Sequence, residues 1–83
     1  MNKILIKLYV PYIDEEYDVL IPINKKVGTI KKILINTVYE LSECSIDNPQ
    51  NLRVYDKTTG MAFENDIYVR DSTIKNGTKI ILL

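Results

Sequence analysis

The chain has no histidine and no tryptophan, one cysteine and one phenylalanine. Each shortage closes a door. Without histidine, the commonest general base and metal ligand is missing. Cys44 then has no obvious base to make it a nucleophile, and it follows the helix candidate instead of opening it, so it reads as an incidental thiol. A lone cysteine makes no internal disulfide, which fits a reducing, cytoplasmic compartment. With three glycines there is no phosphate loop, since Gly28-Thr29 and Asn76-Gly77 are isolated. An excess of either charge is also lacking. Eleven basic residues balance eleven acidic ones, against the clustered basic surface that nucleic acid or an anionic membrane requires. The basic doublets Lys25-Lys26 and Lys31-Lys32 read as solvated ends and faces. No apolar run approaches the ~20 residues of a membrane span. The run from Ile4 to Val10 is broken by Lys7 and leads into an acidic segment without a small-residue cleavage site, so it is a strand and not a signal peptide. An enzyme is not expected, and no cofactor or metal is implied.

What is present is a globular composition. The chain is 83 residues long and 46% apolar, enough for a single domain spanning 1–83. Ile, Leu, Val and Tyr must build its core. A core of this size leaves about 3–5 kcal/mol of net stability.

Periodicity assigns the elements. Ile4, Ile6, Leu8 and Val10 alternate with Leu5, Lys7 and Tyr9, giving a strand with one buried face. Pro11 ends it. Asp14-Glu15-Glu16 makes the turn, and Tyr17, Val19 and Ile21 return as the second strand of a hairpin, closed by Pro22. Asp14, Glu15, Glu16 and Asp18 have no Gly-assisted loop of the kind a cation site uses, so they form a solvated tip. Thr29 is placed to N-cap a helix after a turn at Gly28. Ile30, Ile33, Leu34, Val38 and Leu41 then form one helical stripe. Ser42 to Gln50 is polar loop. Leu52-Arg53-Val54-Tyr55 is a short third strand, followed by a turn with Gly60 at positive φ. Met61-Ala62-Phe63 is a brief fourth strand, Ile67 and Val69 are anchors in a polar segment, and Lys79 to Leu83 is the last strand.

A hairpin cannot bury its face alone, and the helix stripe is the large apolar surface that can cover it. The simplest closure lays the last strand beside the first, in parallel. The expected class is α+β: a β-grasp, a mixed sheet packed on one helix.

At this point the chain resembles ubiquitin-like proteins. The hairpin Ile4–Ile21, Thr29 at the helix start, Leu52-Arg53-Val54, and Ile74-Lys75-Asn76-Gly77-Thr78-Lys79-Ile80-Ile81-Leu82 carry the resemblance. No Gly-Gly pair follows Leu83, so conjugation is not expected, and a C-terminally activated modifier or carrier is the weaker alternative. Among tail-less members the chain looks most like the YukD/EsaB type, associated with Gram-positive type VII (WXG-type) secretion systems. That resemblance implies a cytoplasmic accessory or regulatory role and a protein partner, either the secretion-system ATPase or its membrane components.

Alternation also defines an outer sheet face. Leu5, Tyr9, Arg53, Tyr55, Ile81 and Leu83 all point away from the helix if their neighbours point in. Together they make an apolar patch with a basic neighbour, the kind of surface that marks an interaction site. The alternatives are scattered surface hydrophobes, which need no function, and a homodimer closed by the same face or a sheet edge.

Overall fold

The computed structural model describes residues 3–83. Its strands are β1 (Lys3–Val10), β2 (Glu15–Pro22), β3 (Val54–Asp56) and β4 (Lys79–Leu82), and its helix is α1 (Val27–Ser42). Single 3-10 turns occupy Pro49–Asn51 and Val69–Asp71. The strands form one sheet in the order β2-β1-β4-β3. β1 runs antiparallel to β2 and parallel to β4, and β4 runs antiparallel to β3. This is the expected α+β β-grasp. Among the described residues, no helix is long and apolar enough to cross a membrane.

The core lies between α1 and the inner face of the sheet. Ile6, Leu8 and Val10 from β1, Ile80 and Leu82 from β4, and Ile30, Leu34 and Val38 from α1 are all essentially inaccessible. Val27, Val69 and Ile74 close the end of this layer. No polar side chain is buried among the described residues, so apolar packing sets the register. A one-residue slip of β1 would turn its aliphatic face to water.

Four expectations about individual elements are corrected. Thr29 is not the N-cap: α1 begins at Val27, with Lys26 at the cap and no side chain serving it. Backbone from a distant segment does so instead, as Val27 N–H donates to Ile67 O at 2.8 Å and Gly28 N–H to Asn65 O at 3.0 Å. Ile67 therefore contributes a carbonyl while its side chain stays exposed, and Val69 is the true anchor. Leu41 is 60% exposed and leaves the core stripe, whose last buried member is Val38. Met61-Ala62-Phe63 contributes a single bridge, Ala62 to Tyr55, in place of a strand.

The hairpin turn is also displaced. It spans Pro11–Asp14, with Asp14 at φ 52°, while Glu15 and Glu16 already belong to β2. Ser42 ends α1, and Cys44 lies exposed just beyond it.

Candidate docking face

The register places the outward side chains in rows across the sheet. One row runs Tyr9, Ile81, Tyr55, since Ile81 lies opposite Tyr9 on one side and Tyr55 on the other. The next contains Leu83 and Arg53, whose backbones exchange two hydrogen bonds, Arg53 N–H to Leu83 O at 2.9 Å and Leu83 N–H to Arg53 O at 3.0 Å. Successive rows are two residues apart, roughly 7 Å. Five of the six residues assigned to this face therefore adjoin one another.

Leu5 does not join them. It lies four residues from Tyr9 along β1, roughly 13 Å away, with Lys7 and its neighbour Lys79 in the row between. Leu5 instead sits opposite Leu20, which is 58% exposed. The sequence signal for Leu20 was the alternation of β2, but pairing it with Leu5 requires the hairpin register.

The apolar row is partly sheltered. Tyr9, Ile81 and Tyr55 are half-buried, whereas Leu83 is 56% exposed. Tyr9 is braced: its hydroxyl donates to Asp14 Oδ1 at 3.0 Å, and Lys57 Nζ lies 4.9 Å from its ring centroid. Lys57 also pairs with Glu16 at 3.6 Å, and Lys7 with Asp18 at 3.8 Å. These groups line an open groove of about 470 Å³ at the β1–β2 side of the face. Asp14, Glu16 and Asp18 of the hairpin thus serve as partners of Tyr9, Lys57 and Lys7 respectively. Among the described residues, Arg53 and Lys79 have no carboxylate within ion-pair distance. The face is polar and internally paired at the Tyr9 side. At the Ile81–Leu83 side it is apolar, with two unpaired cations close by.

Tyr9 offers a pH readout of this bracing. The hydrogen bond to Asp14, then desolvation, then the charges of Asp14 and Glu16, hold its phenol above the ordinary 10.0. A raised phenol favours the folded state below the unfolded pKa, and that contribution disappears as pH climbs through the folded value. The Tyr9 titration followed by NMR should lie above 10.0 and move down in Asp14→Asn. An unmoved midpoint would show that Asp14 does not hold the ring.

No protein-family model and no curated protein matches the chain. Solved structures do. A chain of the toluene 4-monooxygenase HD complex with the inhibitor 4-bromobenzoate superposes with TM-score 0.78 at 10% identity, over 96% of this chain and 95% of that one. A chain of the MycP5-free ESX-5 inner membrane complex gives 0.75 at 11% identity, over 100% of this chain but 21% of that one. The N-terminal ubiquitin-like domain of the 4931431F19Rik protein gives 0.72 at 16% identity, over 99% and 74%. At such identities the likeness is one of fold, and with the mixed sheet wrapped on one helix it establishes that this chain has the ubiquitin-like β-grasp fold.

Proposed function

We propose that the protein is a ubiquitin-like module that docks a protein partner on the outer face of its sheet, at Tyr55, Ile81, Leu83 and Arg53. The observation that carries this reading is the register of β4. It sets Ile81 between two tyrosines and leaves Leu83 open beside an unpaired arginine. Tyr and Arg around an aliphatic centre are typical anchors of interfaces. The setting we favour is the cytoplasmic side of a type VII secretion machine in a Gram-positive cell, as an accessory or regulatory component. The resemblance to the YukD/EsaB type supports it, and the shared fold of a chain in an inner membrane complex is compatible with it.

The test is capture of tagged protein after mild cross-linking in Gram-positive cells that carry such a system. Wild type is expected to bring down the secretion ATPase or its membrane partners. Leu83→Asp, at an exposed strand end, should weaken capture about tenfold, equivalent to about 1.4 kcal/mol, with an unchanged melting temperature. Recovery of unrelated proteins with the same dependence on Leu83 would keep the face and remove the setting. Recovery of only its own copies would replace docking by a homodimer. Binding indifferent to Leu83→Asp and Arg53→Glu would overturn the face.

A further inference from the structure

The two edges of the sheet are finished differently. At the β3 edge, Asp56 N–H donates to Met61 O at 2.9 Å and Phe63 N–H to Val54 O at 2.8 Å, so a following segment covers the strand. The β2 edge has no such cover. In β1, Leu5 and Lys7 spend their backbone groups toward β4: Gly77 N–H donates to Leu5 O, and Lys7 N–H to Thr78 O. Ile4, Ile6, Leu8 and Val10 must therefore bond to β2, through Ile21, Val19, Tyr17 and Glu15. That leaves the N–H and C=O of Glu16, Asp18 and Leu20 directed outward. Among the described residues, no backbone bond outside the β1–β2 ladder reaches them. Cover resumes only beyond Pro22, where Ile23 O and Lys25 O accept from Arg70 and Val69.

An open edge of this length invites another strand, and its side chains decide which. Antiparallel pairing with its own copy about Asp18 would place Asp18 on Asp18. Pairing about Leu20 would set Asp18 beside Pro22, which has no N–H to give. Self-addition is thus opposed by like charge and by proline. A basic strand meets neither obstacle, because Glu16 and Asp18 are 72% and 62% exposed even while paired with lysines.

We propose that the β2 edge accepts an extended basic segment by antiparallel strand addition, reading apolar-x-basic-x-basic, with the apolar residue opposite Leu20 and the basic residues opposite Asp18 and Glu16. The intervening residues fall on the inner side beside half-buried Tyr17 and buried Val19, so they are apolar too. This surface is separate from the docking face at Ile81 and Leu83.

The probe is a fluorescein-labelled peptide of sequence Val-Leu-Val-Lys-Val-Lys-Val, titrated by anisotropy, with amide hydrogen exchange read by NMR. Half-saturation on the order of 100 μM or tighter is expected, with new exchange protection at the N–H groups of Glu16, Asp18 and Leu20. Methylating the peptide nitrogens that face β2 should cost tenfold or more. Asp18→Lys should do the same, and Asp18→Asn, which removes charge without adding any, should cost less. Leu83→Asp should leave this binding unchanged while weakening the sheet-face partner. Binding that survives nitrogen methylation, follows Leu83, or is absent would overturn the proposal, as would self-association of the protein through β2.

Discussion

Ile80→Ala is expected to unfold the protein near 37 °C. Ile80 is wholly inaccessible, and its β4 position lies opposite Leu8 of β1 and Asp56 of β3. Truncating a buried isoleucine typically costs about 2–5 kcal/mol, the loss growing where the walls cannot collapse into the cavity. A paired central strand collapses poorly. A domain of this size has only about 3–5 kcal/mol to lose. In the melting curve that is a fall on the order of 10–30 °C, or no cooperative transition. A fall of only a few degrees would mean that Ile80 is not a core residue and that the register of β4 is wrong. Two positions along the strand, Leu82→Ala should behave alike, because Leu82 is equally inaccessible. Ile81→Thr, on the other face, should cost much less, and the contrast tests the alternation on which the docking face rests.

That alternation was legible before the structure because strand periodicity is local. The aliphatic face of β1 and the Val19–Ile21 face of β2 follow from every second residue. The parallel placement of the last strand beside the first followed from the need to cover one small sheet with one helix. What failed depended on contacts distant in the chain. Thr29 carries the right hydroxyl for a cap, yet the first amides of α1 are met by carbonyls of Asn65 and Ile67, and no local pattern announces that. Gly28 looked like a turn residue. Its missing side chain instead permits the close approach of Asn65, whose Cβ and carbonyl oxygen would lie 3.3 Å from an added methyl group. Leu41 continues a faultless stripe but stays exposed, since periodicity gives the face of a helix and not how far along it the core extends. Leu5 shares the outward side of Tyr9, but Lys7 stands between them on β1 and register sets Lys79 beside it; spacing along one strand cannot reveal what a neighbouring strand adds.

The one local signal that does fix a distant contact is Asn76-Gly77, and it carries the second large prediction. Asn76 Oδ1 accepts Leu5 N–H at 2.8 Å, and Gly77 N–H donates to Leu5 O at 2.7 Å. Lys75 N–H donates to Thr78 Oγ1, and Thr78 N–H to Lys75 O, closing the turn. The pair thus clamps the segment that leads into β4 against the backbone of β1. Gly77 adopts φ +88°, where a side chain is rarely found, although an added Cβ would meet nothing within 4 Å. The cost of substitution is therefore one of backbone strain and not of collision. A β-branched residue suffers it most, at about 2 kcal/mol. Gly77→Val should lower the melting temperature by roughly 10 °C. Gly77→Asn should lower it less, since asparagine visits the left-handed region more readily. At temperatures where Gly77→Val is still folded, its affinity for a sheet-face partner should match wild type, because the substitution touches no docking side chain. Equal losses for Val and Asn would show that collision with neighbouring atoms, and not backbone conformation, governs the position. A folded Gly77→Val with weakened binding would show that the clamp sets the face as well as the fold.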